Sequence, residues 1–215
     1  IVAAVVRTWP GARAVVLDKM TYAADIRNLL PLMAARNIEL AVGDIIDLDT
    51  CERAVHKADL VIHAAAESHV DNSFGNSLEF TRTNVLGTHA LMEACRQERV
   101  PRIIHVSTDE VYGEVVKGFV DEDAPLHPTN PYSASKAAAE MIISGYLQSY
   151  KMPIVTLRAN NIYGIRQFPE KIIPKFTLAL LMGRPLTLHG SGKNTRHYLS
   201  APDLAEAILL LVEKG

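Results

Sequence analysis

The stretch Arg102-Ile103-Ile104-His105-Val106-Ser107 decides the fold class of this chain. It is apolar and β-branched over most of its length, and its apolar positions are not confined to every second residue. Such a strand is typical of a parallel sheet whose two faces are both covered by helices. Ligands of open parallel sheets bind beyond the carboxyl ends of the strands. The polar residues that follow this stretch are therefore the first candidates for a functional site.

Four other apolar runs resemble this strand, and helical patterns separate them. The strand candidates are residues 12–17, 38–42, 60–64 and 154–158. The helical patterns cover residues 26–36, 48–57, 77–97, 133–150, 173–182 and 203–213. Strands that alternate with helices predict an α/β fold with a doubly wound, parallel sheet of the Rossmann type.

The composition is that of an ordinary soluble globular protein, with 48% hydrophobic and 21% charged residues among 215. The 22 Lys and Arg are balanced by 24 Asp and Glu, which gives a net charge of -2. The chain therefore lacks the excess of positive charge that is typical of nucleic-acid-binding proteins. The apolar runs are far shorter than the ~20 residues of a membrane span. The two cysteines, Cys51 and Cys95, suit reduced thiols. We therefore expect a cytoplasmic protein with neither a nucleic-acid nor a membrane partner.

Asp18 directly follows the first strand candidate, where an acidic side chain binds the adenosine ribose of a dinucleotide and favours NAD over NADP. The glycine-rich phosphate loop normally lies ~20 residues before this acid. We therefore expect that loop, and the strand before it, upstream of residue 1. Gly43-Asp44 and Ala64-Ala65-Ala66 follow two further strands, where small residues admit a cofactor, although helix packing explains the alanines equally well.

The densest polar cluster is Ser107-Thr108-Asp109-Glu110. Two neighbouring carboxylates in a cleft provide an acid and a base, although a polar turn explains the same residues. Tyr132 and Lys136 are four residues apart, which places a phenol and an ammonium on one helical face. We expect the Lys136 ammonium to lower the pKa of the Tyr132 phenol and make it a usable proton-transfer group.

Together these residues resemble the extended short-chain dehydrogenase/reductase family, whose Ser/Thr, Tyr and Lys match Thr108, Tyr132 and Lys136. Within it, four motifs resemble those of the nucleoside-diphosphate-glucose 4,6-dehydratases, in order along nearly the whole chain. They are Asp18-Lys19-Met20-Thr21-Tyr22-Ala23, Ala65-Ala66-Glu67-Ser68-His69-Val70-Asp71, Thr108-Asp109-Glu110-Val111-Tyr112-Gly113 and Phe168-Pro169-Glu170-Lys171. Related epimerases and decarboxylases usually lack the Asp-Glu pair.

The resemblance implies oxidation of an NDP-glucose at C4 by NAD, loss of water across C5 and C6, and return of the hydride to C6. Tyr132 would take the C4 hydroxyl proton, Thr108 would hydrogen-bond the C4 oxygen, and Lys136 would hold the nicotinamide ribose. Glu110 would remove the C5 proton, and Asp109 would protonate the departing C6 hydroxyl. One base and one acid on neighbouring carbons is what this elimination needs.

The resemblance also implies the binding residues. The cofactor-binding set is Asp18, Lys19, Thr21, Asp44, Ile45, Ala64, Ala65, Ala66, Ser107, Tyr132 and Lys136. The substrate-binding set is His69, Asn161, Glu170, Lys171 and Arg196. The structural alternative for Asn161 is an Asn that only supports a turn, and the alternative for Arg196 is an ordinary exposed Arg on the surface. The histidines show no metal-ligand spacing, so we expect no metal site.

The expected organisation is an NAD-binding Rossmann domain over residues 1–165 and a partial nucleotide-sugar lobe with a returning helix over 166–215. The long helices at 77–97 and 133–150 carry apolar positions on more than one face. In the resembled family these helices pair between two subunits, so we expect a homodimer. Contacts within one subunit are the alternative. A 4-epimerase, a UDP-glucuronate decarboxylase and a non-catalytic nucleotide-sugar scaffold are the alternative functions.

Overall fold

In the computed structural model, which describes residues 1–35, 37–115, 118–188 and 190–215, every strand pairing is parallel. The first five strands begin and end close to the predicted positions, whereas no bounds were predicted for the last two. The strands are β1 Ala14–Asp18, β2 Ile38–Val42, β3 Val61–His63, β4 Ile103–Thr108, β5 Ile154–Ala159, β6 Asn161–Tyr163 and β7 Tyr198–Ser200.

The strands form three groups, with orders β1-β2, β3-β4-β5 and β6-β7. The usual order of a doubly wound sheet is 3-2-1-4-5-6, and the groups β1-β2 and β3-β4-β5 correspond to its 3-2 and 4-5-6 parts. The pairings run through to the carboxyl ends, where Asp18 lies beside Val42 and Thr108 beside Ala159. The predicted parallel α/β fold is confirmed.

Helices connect the strands and cover both faces of the sheet. They are α1 Val2–Thr8, α2 Leu30–Ala35, α3 Leu48–Val55, α4 Val70–Gly75, α5 Ser77–Phe80, α6 Thr88–Glu98, α7 Pro131–Tyr150, α8 Ile172–Leu181 and α9 Ala201–Lys214. The predicted helix at 26–36 is divided into a 3-10 turn, Ile26–Asn28, and α2, and its last position, Arg36, lies outside the described residues. The predicted helix at 77–97 contains a π-helical segment, Thr81–Gly87, between α5 and α6.

Two adjacent residues of β4 show why its apolar positions are continuous. Ile103 belongs to the core cluster that contains Cys51, Met92 and Ile143 from α3, α6 and α7. Ile104 belongs to the cluster on the other face, with Ile208 of α9. Both isoleucines are 0% exposed. Because consecutive strand residues point to opposite faces, a strand covered on both sides needs apolar residues at consecutive positions.

The helix α9 packs against β4 and β5, and α1 packs against α9. A helix assigned from the sequence to the second domain thus contacts the central sheet. The division at residue 165 stays a prediction. None of the helices in the described ranges has the length and apolar character needed to cross a membrane.

Candidate active site

The carboxyl end of β4 leads directly into a 3-10 turn, Asp109–Tyr112, which carries the two predicted acid and base residues. The Thr108 hydroxyl accepts a hydrogen bond from the Glu110 backbone N–H (3.2 Å) and so begins this turn. Gly113 ends it at φ +76°, where a Cβ would lie 2.1 Å from the His127 carbonyl oxygen. A glycine is therefore required there to let the following loop close against the turn.

The helix α7 presents Tyr132 and Lys136 to the same edge. Asn130 caps this helix: its Oδ1 accepts a hydrogen bond from the Ser133 N–H (2.8 Å), and the Ser133 hydroxyl accepts one from the Asn130 N–H (3.2 Å). Pro131 occupies the first helical position, where its missing N–H costs nothing. The capping box starts the helix two residues before the predicted position and places Tyr132 in its first turn.

Lys136 is 4% exposed, and its ammonium donates a hydrogen bond to the Val106 carbonyl oxygen (2.8 Å). Burial lowers the pKa of Lys136 to about 8, while the Glu140 carboxylate opposes this shift. The ammonium thus points toward the backbone of β4 rather than toward the phenol. At neutral pH it is still mostly protonated.

The expectation that Lys136 lowers the pKa of Tyr132 is wrong for this structure. Burial raises the pKa of Tyr132 to about 12, the charge of Glu110 adds to the rise, and Thr108 lowers it. The groups that change the pKa of Tyr132 are Thr108, Asp109 and Glu110, so Tyr132 lies close to this cluster. The phenol is protonated at neutral pH in the site without ligands.

Each of the two carboxylates accepts a hydrogen bond from an asparagine that the sequence analysis did not select. Asn160 Nδ2 donates to Asp109 Oδ2 (2.9 Å), and Asn130 Nδ2 donates to Glu110 Oε2 (3.3 Å). The two asparagines come from different parts of the chain, one after β5 and one before α7. Two amide donors are thus available to two carboxylates, one for each.

Residues 166–171 fold back onto the segment that follows β3. The Lys171 ammonium donates to the Ser68 carbonyl oxygen (2.7 Å), and the Tyr22 hydroxyl donates to Glu170 Oε2 (2.8 Å). Burial lowers the pKa of Lys171, and Glu110 is among the acids that oppose this shift, so Lys171 lies near Glu110. Of the two predicted substrate residues, Lys171 therefore lies near Glu110, whereas Glu170 contacts Tyr22.

The other predicted substrate residues have local partners. His69 begins α4, and its Nδ1 accepts a hydrogen bond from the Asn72 N–H (3.4 Å). Asn161 lies in β6 and donates to the His197 carbonyl oxygen (3.4 Å). The exposed Arg196 donates to the carbonyl oxygen of the adjacent Thr195 (2.8 Å). Their roles as substrate contacts stay predictions.

A cavity of about 190 Å³ lies at the carboxyl ends of β1, β2 and β3. Eight predicted cofactor residues line it: Asp18, Lys19, Thr21, Asp44, Ile45, Ala64, Ala65 and Ala66. The alanines leave room for a ligand against the backbone, and Asp18 offers an exposed carboxylate at the end of its strand. These features fit the adenosine half of a dinucleotide.

Lys19 is held at this cavity by two carboxylates from other elements. Its ammonium lies 2.7 Å from Asp44 Oδ2 and 3.2 Å from Glu79 Oε1. These partners raise the pKa of Lys19, Asp44 most strongly. The cation is therefore already neutralised by acids of the protein.

Asn84 links the cavity to α7 and was also missed by the sequence analysis. It is 1% exposed in the π-helical segment, and its amide bonds both the N–H and the carbonyl of Glu67 (2.8 and 2.9 Å) and the Ser135 hydroxyl (2.8 Å). Ser135 lies between Tyr132 and Lys136 on α7. The wall of the cavity and the helix α7 are therefore joined through one buried side chain.

The predicted cofactor residue Ser107 belongs to a buried ionic network. Its hydroxyl donates to Glu140 Oε1 (2.5 Å), and Glu140 Oε2 lies 2.7 Å from the Arg158 guanidinium. Glu140 is 6% exposed. The carboxylate therefore has a full set of charged and polar partners.

Arg158→Met is expected to lower the free energy of unfolding by ~3–5 kcal/mol, since it leaves the buried Glu140 without its counter-charge. Arg13→Met is the matched control, because Arg13 pairs with Glu39 (2.8 Å) on the exposed edge of the sheet. That loss is expected to cost at most ~1 kcal/mol. Urea denaturation of both variants measures the difference, and equal costs would contradict the prediction.

The chain matches the family model described as GDP-mannose 4,6-dehydratase over residues 10–215. It is 48% identical to a trifunctional UDP-glucose 4,6-dehydratase/3,5-epimerase/reductase of Arabidopsis thaliana over 98% of the chain and 32% of that protein. It is 43% identical to human dTDP-D-glucose 4,6-dehydratase, over 100% of the chain and 62% of that protein. The chain thus spans about a third of the length of the Arabidopsis protein and under two thirds of the length of the human protein.

A solved structure, dTDP-glucose 4,6-dehydratase from Streptomyces venezuelae with NAD and TYD bound, superposes with a TM-score of 0.95 at 39% identity. The match covers 100% of this chain and 66% of that one. The whole of the described fold therefore has a counterpart in that structure.

Proposed function

This chain belongs to the GDP-mannose 4,6-dehydratase family, and on that premise we propose that it converts an NDP-glucose, dTDP- or UDP-glucose, to NDP-4-keto-6-deoxyglucose and water, with NAD as cofactor. The observation that carries the proposal is the cluster of Thr108, Asp109 and Glu110 at the end of β4, with the Tyr132 phenol beside it. An epimerase has no elimination step and no use for this second acid–base pair.

The residues of the chain divide the chemistry between them. Bound NAD supplies reversible hydride chemistry, first at C4 and then at C6 of the sugar. Tyr132 accepts the proton of the C4 hydroxyl, while the Thr108 hydroxyl donates a hydrogen bond to the C4 oxygen. Glu110 removes the C5 proton, which the C4 ketone makes acidic, and Asp109 protonates the C6 hydroxyl as it leaves as water. A phenol can accept a proton only after it has lost its own, so Tyr132 acts as the phenolate in this step.

The cavity residues Asp18, Lys19, Thr21, Asp44 and Ile45, with Ala64 to Ala66, hold the adenosine end of NAD in this proposal. Lys136 and Ser107 stand at the nicotinamide end of the same sheet edge. The sugar nucleotide contacts the predicted substrate residues, which are His69, Asn161, Glu170, Lys171 and Arg196. Residues 1–165 form the cofactor domain and 166–215 part of the substrate lobe.

The function is tested by incubating the full-length protein with NAD and, in separate reactions, dTDP-glucose, UDP-glucose or UDP-glucuronate. We expect a 4-keto-6-deoxy sugar nucleotide in the product. An epimer at C4 with C6 unchanged would support a 4-epimerase instead. Loss of carbon dioxide from UDP-glucuronate would support a decarboxylase. Binding without turnover would support a scaffold.

We expect the full-length protein to bind NAD more tightly than NADP. Asp18 repels a 2′-phosphate, and Lys19 is occupied by Asp44 and Glu79. Glu79→Gln removes one of these two acids, so NADP binding should improve about fivefold relative to NAD, because a partly exposed ion pair is worth up to ~1 kcal/mol. Isothermal titration calorimetry with both cofactors measures the ratio.

The matched control for this experiment is Glu39→Gln, which breaks the exposed ion pair with Arg13 instead. It should leave the ratio of the two affinities unchanged. Equal binding of NAD and NADP by the unaltered protein would show that Asp18 does not contact the ribose.

We propose that the protein is a homodimer, and the exposure of apolar residues on the two long helices supports this proposal. Several of their apolar residues, including Leu91, Ala94 and Tyr146, are buried within the chain. Others, including Leu86 and Met141, are exposed, at 50% and 59%. A second subunit would cover these exposed apolar side chains.

Met141→Glu is therefore expected to convert a dimer of the full-length protein to a monomer, because it places a charge in an apolar interface. Sedimentation velocity measures the mass. Met182→Glu is the control, since Met182 is 61% exposed just after α8. A monomeric mass for the unaltered protein would contradict the proposal.

The protein is also assigned to the cytoplasm. Cys51 and Cys95 are both buried and free, as expected of thiols in a reducing compartment. Fractionation of source cells with an antibody to the protein tests this assignment.

A further inference from the structure

Asn130 makes two different side-chain hydrogen bonds at once. Its carbonyl Oδ1 accepts from the Ser133 N–H (2.8 Å) and caps α7. Its amide Nδ2 donates to Glu110 Oε2 (3.3 Å). One side chain therefore connects the start of the helix that carries Tyr132 and Lys136 with the carboxylate proposed as the base.

The helix cap decides which end of the amide faces Glu110. If the amide were rotated by half a turn, its NH₂ group would meet the Ser133 N–H, and its oxygen would meet the carboxylate. Both contacts would then be repulsive. Because the cap requires the oxygen at the helix, the donor end must point to Glu110.

The geometry points to Asn130 as a positioning residue that orients the Glu110 carboxylate for the removal of the C5 proton. This inference rests on the proposed function. A general base must lie within hydrogen-bond reach of the proton that it removes. The bond from Asn130 fixes the direction of the Glu110 carboxylate relative to α7, the helix that carries Tyr132.

The other groups near Glu110 do not provide the same bond. Asp109 precedes it and has its own amide donor in Asn160. Tyr132 lies close enough for the charge of Glu110 to raise its pKa. Lys171 is a nearby cation, but its ammonium donates to the Ser68 carbonyl oxygen. Within the described residues, Asn130 is thus the side chain that donates a hydrogen bond to the Glu110 carboxylate.

Two substitutions separate the cap from the donor. Asn, Asp and Ser are similarly good N-caps, so Asn130→Asp and Asn130→Ser should both preserve α7 and the thermal midpoint of unfolding. Asn130→Ser removes the amide that reaches Glu110. Asn130→Asp also replaces the donor with a second carboxylate, which repels the Glu110 carboxylate and turns it away from its present direction.

The measurement is a single-turnover experiment on the full-length protein, which follows reduced nicotinamide as it forms and then disappears. We expect formation at close to the unaltered rate in both variants, because it depends on Tyr132. Disappearance should slow by about tenfold in Asn130→Asp and less in Asn130→Ser.

The control is Ser200→Asn, which exchanges one good N-cap for another on α9, where Ser200 caps through the Asp203 N–H. It should change neither phase. Disappearance at the unaltered rate in both Asn130 variants, or equal slowing of formation and disappearance, would overturn the inference. Absence of turnover by the unaltered protein with either NDP-glucose would instead refute the proposed function, and the inference with it.

Discussion

Glu110→Gln is expected to stop the reaction after the first step while leaving that step intact. Oxidation at C4 depends on Tyr132, so reduced nicotinamide should still form when the full-length protein meets its substrate. The amide cannot remove the C5 proton, and loss of a positioned base typically costs ~10²- to 10⁴-fold in rate. A long-lived absorbance of reduced nicotinamide, with a 4-keto-glucose nucleotide on the protein, is the expected result.

Glu114→Gln is the matched control for this substitution, because Glu114 is exposed four residues further along the same segment. It should turn over normally. A Glu110→Gln protein that released the 4-keto-6-deoxy sugar at the ordinary rate would show that Glu110 only supports the turn after β4, and the assignment of the base would be wrong.

Tyr132→Phe is expected to block the first step, so that no reduced nicotinamide appears. The phenol is the group that takes the proton of the C4 hydroxyl in the proposed mechanism, and phenylalanine keeps the ring but has no hydroxyl. We expect a rate loss of ~10²- to 10⁴-fold, as for other proton-transfer groups. Rapid mixing with substrate, monitored by absorbance and by product analysis, distinguishes this outcome from the stalled state of Glu110→Gln.

Tyr150→Phe provides the control, since Tyr150 is 57% exposed at the other end of the same helix. It should behave like the unaltered protein. Formation of reduced nicotinamide at the ordinary rate by Tyr132→Phe would exclude this phenol as the proton acceptor at C4.

The fold was predictable because its signal lies in short stretches of sequence. The strand at 38–42 has the predicted limits, and β4 and β5 differ from prediction by one residue at their ends. Parallel strands covered on both faces need unbroken apolar runs, and these can be seen without knowing the partner strands. The 3-10 turn before α2 and the π-helical segment were less predictable, because tertiary packing modifies local helix preference.

The predicted cofactor residues at the ends of β1, β2 and β3 do line one cavity. The rule that parallel strands present their carboxyl ends to one edge was sufficient for this. The interaction between Lys136 and Tyr132 was wrongly predicted, since a spacing of four residues indicates a shared helical face but not the direction of the ammonium. In the fold, the Val106 carbonyl oxygen receives that ammonium (2.8 Å).

The sequence by itself determined the parallel α/β fold, the family and the edge of the sheet at which the chemistry is placed, because each depends on patterns within a few residues. Only the tertiary structure decided which asparagine reaches which carboxylate. Asn130 and Glu110 are 20 residues apart in the chain, and Asn160 and Asp109 are 51 apart. Such contacts arise where separate strands and helices end at the same edge, so the residues that make them carry no local signal.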